Sequence, residues 1–186
     1  MSAEEHEKAA SRSPDHRRVE VAVITVSDTR TPETDRGGDR LQGLLEEAGH
    51  TVSTRLLVPD EAESIDAAIV RCLEIPSIRA VLLTGGTGIS PRDGTVEVVR
   101  GHLRVELPGY GELIRRLGFD EIGAAAIMSR AVAGVARRPG VDAPTEGVVI
   151  FTMPGSVQAV ESATRGAILP VLPHAVWQIA GGRPSG

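Results

Sequence analysis

Four short apolar runs alternate along the chain with segments whose apolar residues recur at helical spacing. The runs cover residues 19–26, 51–58, 80–84 and 148–152, and β-branched residues dominate them. Each run has the length of a buried strand. Strands separated by helices form βαβ units, and helices cover both faces of the resulting parallel sheet. The pattern predicts an α/β fold, a three-layer sandwich around a mostly parallel central sheet with right-handed crossovers.

The segments between the runs indicate where helices lie. Leu41, Leu44 and Leu45 mark a first helix, which Gly49 ends. Hydroxyl side chains suit helix N-caps, and we assign that role to Ser64, Thr95 and Ser156, the last at the start of a long final helix. We further expect a turn at residues 107–112 and a short helix at 113–117. An alanine-rich helix should follow at 124–135, and a surface loop at 137–146.

Length and composition favour one ordinary globular domain. The chain has 186 residues, of which 41% are hydrophobic and 24% charged. We expect the domain to span residues 19–180, between a disordered tail over 1–18 and a frayed tail over 181–186. Aromatic residues make up only 2% and the net charge is −5, which argues against nucleic-acid binding.

Cysteine usage and hydropathy indicate the compartment. The single cysteine, Cys72, stands among apolar residues and is interpreted as a small core residue. No run in the sequence approaches transmembrane length, and the first residues lack the apolar segment of a signal peptide. We therefore expect a cytoplasmic protein without membrane contact.

The third run leads into a glycine-rich loop, Thr84-Gly85-Gly86-Thr87-Gly88. Glycine lets backbone N–H groups approach a ligand closely, and threonine hydroxyls add donors, so the loop suits a phosphate. It lacks the Gly-Lys-Ser/Thr of a Walker A loop and the glycine spacing of a dinucleotide-binding loop. The alternative is a tight strand-to-helix turn that binds nothing.

Each of the four runs is followed directly by a polar or glycine-rich loop. In a parallel sheet all the carboxyl ends of the strands lie along one edge, where open α/β folds bind ligands. We therefore expect the four loops to share one crevice and to bind a phosphate-bearing ligand. The loops contain Ser27 and Asp28, then residues 59–61, then residues 84–88, and finally Pro154, Gly155 and Ser156.

Two aspartates in these loops are candidate Mg²⁺ ligands. Asp60 and Asp93 follow the second and third runs, and paired carboxylates beside a phosphate suit Mg²⁺. A turn residue at Asp60 and a helix-dipole partner at Asp93 are the structural alternatives. Arg92 and Arg130, with Arg30, are candidate phosphate ligands, although exposed arginines are often only solvated. The histidines show no ligand spacing.

The ordered set of these motifs resembles the MoaB/MogA family of molybdenum-cofactor biosynthesis proteins. The similarity spans about residues 19–178 and rests on segments 27–30, 58–61, 84–88, 92–95, 108–112, 129–134 and 153–156. It implies a molybdopterin-binding fold, a trimer or a dimer of trimers, and Mg²⁺-dependent transfer of AMP from ATP to molybdopterin with release of pyrophosphate. Other molybdenum-cofactor enzymes are possible partners.

The resemblance also implies roles for individual residues. Asp60 and Asp93 occupy the essential acidic positions, and the loop from Gly85 to Gly88 holds nucleotide or pterin phosphate. Ser129 and the Pro154-Gly155-Ser156 turn line the pterin side. Binding positions are further expected at Ser27, Asp28, Thr84, Arg92, Glu112 and Arg130.

Two departures from the family pattern keep alternatives open. Gly94-Thr95-Val96 stands where the family often has Val-Thr-Pro. Val157 replaces a proline found in the adenylyltransferase branch, which makes the turn look more like the MoaB branch. A non-catalytic molybdopterin carrier is therefore the main alternative. A hydrolase acting on a nucleotide and a purely structural subunit are weaker ones.

Overall fold

The structure is a computed structural model that describes residues 18–141 and 143–182. Most of the tail predicted over 1–18 and the last four residues of that predicted over 181–186 lie outside the described residues. Arg18 is described, and its Nε donates to Thr51 Oγ1 over 2.6 Å. The boundaries of the domain thus stay a prediction.

A six-stranded mixed sheet forms the middle layer. Its spatial order is β2-β1-β3-β6-β5-β4. The strands β2, β1, β3 and β6 are parallel neighbours, whereas β5 and β4 continue the sheet antiparallel. The bounds are β1 Glu20–Val26, β2 Thr51–Val58, β3 Ala80–Thr84, β4 Leu103–Glu106, β5 Ala133–Ala136 and β6 Val148–Met153. The mostly parallel sheet predicted from the sequence is confirmed.

Helices cover both faces of this sheet. The α-helices are α1 Arg36–Glu47, α2 Ala62–Leu73, α3 Thr95–His102, α4 Pro108–Ile122, α5 Val157–Ala163 and α6 Leu172–Ile179. Short 3₁₀ segments cover Gly123–Met128 and Pro144–Glu146, and a π-turn over Thr164–Ile168 extends α5. The three-layer prediction is confirmed, but the long final helix is divided into three pieces.

Side chains of the central strands alternate between two cores, as the two-residue period of a strand requires. On β3, Leu82 packs in the core that contains α1, α4, α5 and α6, whereas Leu83 packs in the core that contains α2 and α3. Both are fully buried. Burial on both faces explains why these strands are continuous apolar runs in the sequence.

The predicted helix caps have different outcomes. Ser156 caps α5 as expected, because its Oγ accepts a hydrogen bond from Ala159 N. The prediction for Ser64 is wrong, since α2 begins two residues earlier and Glu61 occupies its N-cap. The prediction for Thr95 is also wrong. Gly94 occupies the N-cap of α3, and Thr95 is the first helical residue.

The region between α3 and β6 differs most from the sequence predictions. The expected turn at 107–112 is the first part of α4, which starts at Pro108, a residue whose fixed φ suits the first helical position. The helix expected over 124–135 is a 3₁₀ segment followed by β5. β5 lies against β4, and an added Cβ on Gly134 would stand 2.3 Å from Val105 O. Close backbone pairing thus overrides the helical appearance of an alanine-rich stretch.

Two further features concern buried groups. Cys72 is fully buried, as predicted, and burial raises the pKa of its thiol to about 11. Arg138, in the predicted surface loop, instead turns inward and donates to carbonyl oxygens of the α2–β3 connection. Within residues 18–141 and 143–182, no helix combines the length and the apolar character needed to cross a bilayer.

Candidate active site

The loops that follow β1, β2, β3 and β6 meet at one edge of the sheet. Gly85 N donates to Met153 O over 3.0 Å, and Thr84 Oγ1 donates to Pro154 O over 3.2 Å. Arg30 reaches across from the β1 loop and donates to Gly155 O over 2.6 Å. The parallel order of these strands brings their carboxyl ends together, so the convergence expected from the sequence is present in the fold.

Three aspartates gather at this edge. Asp28 Oδ1 accepts a hydrogen bond from Asp60 N over 3.0 Å, and its Oδ2 lies 2.8 Å from Arg92 Nη2. Asp60 Oδ1 accepts from Gly94 N, the residue after Asp93, over 3.3 Å. Burial raises the pKa of the Asp60 carboxyl, and the charges of Asp93 and Asp28 raise it further. The cluster concentrates negative charge where a cation would be stabilised.

The glycine-rich loop depends on two residues with positive φ. Gly85 has φ +102°, and a Cβ there would stand 2.2 Å from Val26 O. Gly86 has φ +62°, which again favours glycine. The amides of Gly86, Thr87 and Gly88 donate no hydrogen bond to other parts of the described chain. Such unpaired N–H groups in a strand-to-helix loop are suited to an anion.

Arg130 supports this loop from below. Its Nε donates to Gly88 O over 2.5 Å, its Nη2 donates to Asp93 O over 2.8 Å, and its Nη1 pairs with Glu97. Its main-chain N donates to Thr87 O. Since the guanidinium is occupied by protein groups, Arg130 fixes the loop and Asp93. The structure therefore places Arg130 beside the loop, where its hydrogen bonds hold the loop in position.

Thr95 lies beneath the loop with an unpaired hydroxyl. The residue is fully buried, and its Oγ1 has no hydrogen-bond partner among the described residues. A Cβ built on Gly86 would stand 2.1 Å from Thr95 Oγ1 and 3.1 Å from each carboxylate oxygen of Asp60. A side chain on Gly86 would therefore collide with Thr95 Oγ1 and approach the Asp60 carboxylate closely. Sequence reasoning assigned Thr95 only to capping and missed this position.

The donor set at this edge fits a metal that arrives with a phosphate ligand. In the part of the chain that the structure describes, His, Cys, Asp and Glu side chains nowhere form the groups of three that could hold a metal by themselves. Mg²⁺ commonly takes one or two carboxylates and completes its shell with waters and substrate phosphates. Asp60 and Asp93, beside a loop with unpaired amides, match that arrangement.

A buried carboxylate that the sequence reasoning did not select orients Arg30. Asp35 is 1% exposed, and it accepts hydrogen bonds from Thr25 Oγ1, Gly38 N and Arg55 Nη2 over 2.7, 3.0 and 2.9 Å. Burial alone raises the pKa of Asp35, but these hydrogen bonds outweigh it and hold that pKa below its usual value. Asp35 also lies 3.5 Å from Arg30 Nη1. An Asp before Gly37-Gly38 at a helix start was the available signal.

An apolar pocket opens beside the Pro154–Ser156 turn. Ser129, Pro154 and Ser156, which the family resemblance places on the pterin side, all line it. The Ser129 hydroxyl is buried and has no partner within the described chain. Apolar walls come from α4 and α5, at Ile114, Leu117, Ile122, Ala159 and Ala163. Apolar walls combined with a few polar groups are typical of the lining of small-molecule sites.

Two other residues considered from the sequence lie elsewhere. Glu112 is exposed on the first turns of α4, and no hydrogen bond or ion pair joins it to the described residues of the strand-end loops. Its binding role stays a prediction. Tyr110, which belongs to the segment 108–112 that carries the family resemblance, lies in the core: it is 8% exposed, its OH donates to Thr152 O over 2.9 Å, and its ring packs on Phe151.

Comparison with known proteins identifies the family. Residues 22–174 match the family model MoCF_biosynth, described as a probable molybdopterin binding domain. Molybdenum cofactor biosynthesis protein B of Bacillus subtilis (strain 168) is 43% identical over 180 residues, which cover 96% of this chain and 98% of that protein.

Two solved structures extend this similarity to the fold. A crystal structure of a molybdenum cofactor biosynthesis protein B gives a TM-score of 0.79 at 40% identity and covers 87% of this chain and 96% of that one. The molybdopterin biosynthesis enzyme MoaB of Thermus thermophilus gives 0.73 at 31%, covering 90% and 99%. The resemblance seen in the sequence is confirmed, and the chain belongs to the MoaB/MogA family of probable molybdopterin-binding domains.

Proposed function

We propose that this protein acts in molybdenum-cofactor biosynthesis as a nucleotidyltransferase that moves AMP from ATP to molybdopterin and releases pyrophosphate. The observation that carries the proposal is the cluster of Asp28, Asp60 and Asp93 around a glycine loop with unpaired amides, beside an apolar pocket. The names of its relatives support the pathway. The proposal places the protein in the cytoplasm, where ATP is available.

The residues suit a reaction that needs positioning more than proton transfer. The terminal phosphate of molybdopterin is the nucleophile: one of its oxygens bonds to the α-phosphorus of ATP as the bond from that phosphorus to the bridging oxygen breaks. Pyrophosphate carries away the electron pair. Because the attacking phosphate is already ionised at neutral pH, no general base is required, and the lack of a histidine among the described residues of this edge is consistent with that.

Each group has a defined task in this proposal. The amides of Gly86, Thr87 and Gly88 bind phosphate oxygens, and Asp60 and Asp93 hold the Mg²⁺ that accompanies ATP. Bound Mg²⁺ supplies positive charge against the phosphates. Arg92 balances Asp28 at the rim, and Arg130 keeps the loop in place.

The apolar pocket is the proposed pterin side of the site. Its wall from α4 and α5 suits the flat face of a pterin ring, and the unpaired Ser129 hydroxyl offers a donor or an acceptor to the ring's polar edge. The pocket adjoins the Pro154–Ser156 turn, which contacts the glycine loop through Thr84. Nucleotide and pterin would therefore meet at this turn.

We also propose that the protein assembles as a homo-trimer or homo-hexamer through α4 and the 3₁₀ segment that follows it. Large apolar side chains are exposed there, at Leu113, Phe119, Ile122, Ile127 and Met128, by 40, 59, 61, 76 and 45%. Exposed apolar patches of this kind mark interaction surfaces. Light scattering on a size-exclusion column would test the proposal, with Phe119→Asp expected to reduce the mass and Val171→Asp, on a different exposed segment, as the control.

The decisive experiment measures adenylylated molybdopterin and pyrophosphate after incubation with ATP, Mg²⁺ and fresh molybdopterin. Asp60→Asn and Asp93→Asn retain an oxygen that can accept the hydrogen bonds from Gly94 N and Ser90 N, so they remove charge with little change in shape. We expect both to lower turnover by about 10²-fold or more, in line with the loss of one preorganised charge contact.

Asp120→Asn is the matched control, because Asp120 is exposed on α4 and belongs to none of the strand-end loops. It should behave like the wild type. A wild-type protein that binds molybdopterin tightly yet forms neither product would contradict the transferase and establish the carrier. The MoaB-like Ser156-Val157 sequence is the feature that favours this second candidate.

A further inference from the structure

The Thr95 hydroxyl combines complete burial with a lack of partners, and this combination calls for an explanation. Buried polar groups are nearly always hydrogen-bonded, because an unpaired one loses its hydration without compensation. Thr95 is 0% exposed and its Oγ1 is unpaired among the described residues. Valine has the same shape and would avoid this cost. Thr164 shares this combination, but Thr95 is the one of the two that lies against Gly86 of the glycine loop, close to Asp60, where a bound ligand would supply the missing partner.

The surroundings of the hydroxyl indicate the chemistry of that partner. The point where a Cβ of Gly86 would stand lies within 3.1 Å of Thr95 Oγ1 and of both Asp60 oxygens. Asp60 Oδ1 is also tied to the start of the same helix through Gly94 N. A neutral hydroxyl and a carboxylate that both approach Gly86 are hard oxygen donors, which suit Mg²⁺.

The positions of Thr95 and Asp60 in the fold are similar to those of known ligands of nucleotide-bound Mg²⁺. In P-loop NTPases a hydroxyl at the start of the helix after the glycine loop, together with a carboxylate from another strand, holds the metal. Thr95 is the first residue of α3 after the glycine loop, and Asp60 follows β2. The sequence lacks the lysine of the Walker A loop, so the similarity is limited to the metal ligands.

We propose that Thr95 Oγ1 is an oxygen donor to the Mg²⁺ of the bound nucleotide, on the same side as Asp60, either directly or through one water. This inference rests on the proposed function, because it concerns the metal that accompanies ATP. It adds to that proposal a ligand from a position interpreted in the sequence only as a helix cap.

The test compares Thr95→Val, which keeps the shape and removes the hydroxyl, with Thr95→Ser, which keeps the hydroxyl. Thr164→Val is the matched control, because Thr164 is also fully buried with an unpaired hydroxyl but lies in the π-turn after α5. The probe is α,β-methylene-ATP, which is not cleaved, with Mn²⁺ in place of Mg²⁺. Calorimetry gives the nucleotide affinity with Mn²⁺ or with EDTA, and electron paramagnetic resonance gives the bound Mn²⁺.

We expect Thr95→Val to weaken Mn²⁺-dependent nucleotide binding by about 10-fold or more, the usual effect of losing a metal-site contact, with binding in EDTA unchanged. Thr95→Ser and Thr164→Val should stay within about threefold of the wild type. In the absence of ligand, Thr95→Val should unfold at a temperature equal to or above that of the wild type, because it removes an unpaired buried hydroxyl.

The outcomes separate this inference from the proposed function. If the wild type binds the nucleotide in a metal-dependent way and Thr95→Val binds it equally well, the role of Thr95 is overturned and the transferase proposal stands. If Thr95→Val unfolds at a lower temperature, the hydroxyl already stabilises the free protein and the inference is again overturned. If the wild type shows no metal-dependent binding, the proposed function itself is contradicted.

Discussion

Arg130 donates a hydrogen bond of 2.8 Å from its Nη2 to the main-chain oxygen of Asp93, and the same side chain holds Gly88 O through Nε. One guanidinium thus fixes both ends of the segment that carries a proposed metal ligand. Arg130→Met removes these bonds while keeping an extended apolar side chain. We expect kcat/KM for adenylyl transfer to fall by about 10²-fold, since small displacements of reacting groups have effects of that size.

Hydrogen exchange of the amides from 88 to 94 would show whether the loss has this cause, because exchange should accelerate there and stay unchanged in β1. Arg116→Met is the control, as Arg116 lies on α4, away from these contacts. Unchanged exchange in Arg130→Met, with reduced activity, would mean that Arg130 contacts substrate instead of supporting the loop.

Two glycine substitutions should have opposite effects. Gly86→Ala places a Cβ 2.1 Å from Thr95 Oγ1 at a positive φ, and we expect a loss of about 1–3 kcal/mol in the free energy of unfolding. Gly43→Ala lies inside α1, where an added Cβ meets nothing within 4 Å, and should add about 0.5–1 kcal/mol. Urea unfolding of both variants measures the two effects. A stable Gly86→Ala variant would show that the loop accommodates a side chain.

Arg138 should be essential for stability although it donates no hydrogen bond to the described residues of the strand-end loops. It is 7% exposed and donates to the carbonyl oxygens of Leu73, Ile75, Pro76 and Ile78. Arg138→Met removes the donors to these carbonyl oxygens, of which Ile75 O keeps a bond from Ile78 N, and we expect it to lower the free energy of unfolding by about 3 kcal/mol. Arg137→Met, at the exposed neighbouring position, should change it by less than about 0.5 kcal/mol. Equal effects of the two substitutions would refute this role.

His50 should make the fold less stable in mild acid. Its Nδ1 accepts a hydrogen bond from Val19 N over 3.2 Å, and burial lowers its pKa below the usual 6.5. The unfolded chain therefore takes up the proton first as the pH falls. The loss of stability is absent above about pH 7. It develops as the pH falls through 6.5, the pKa of the unfolded state, and is complete below the pKa of the folded state.

His50→Asn tests this pH dependence, because the Asn Oδ1 can still accept from Val19 N but does not titrate. Urea midpoints at about pH 7.5 and about pH 5.5, on either side of the usual histidine pKa, should differ less for this variant than for the wild type. Identical differences in the two proteins would assign the acid sensitivity to other groups.

The central half of the fold was predictable because its strands are buried on both faces. In β1, β3 and β6, burial on both sides leaves continuous apolar runs that sequence reasoning detects easily. β4 and β5 were missed because each has four residues and depends on pairing with its neighbour. The residues of β5, Ala133–Ala136, have no strand pattern of their own. The start of α4 was missed because Pro108-Gly109 has the composition of a turn.

The convergence of the loops at the candidate site was predictable, whereas the contacts between their residues were less so. Placing Asp60 and Asp93 at one sheet edge followed from the prediction that the strands before them are parallel. The use of the Arg130 guanidinium by Gly88 and Asp93 depends on contacts between residues far apart in the sequence, which no local pattern shows. The unpaired state of Thr95 likewise follows from the path of the glycine loop above it. Both are tertiary properties, whereas residue types and the alternation of strands with helices can be read along the chain.

The position of β4 at the end of the sheet affects how the protein behaves when crowded. A long, flat edge strand exposes unpaired backbone groups that can add strands from other molecules and start fibrous aggregates. β4 has only four residues, and its last residue, Glu106, is held by Arg100 through two contacts of 3.1 and 3.3 Å. Such a short edge strand with a charged end presents few backbone groups to which a strand of another molecule could pair. Concentrated solutions of the folded protein should therefore resist amyloid-like growth from this side.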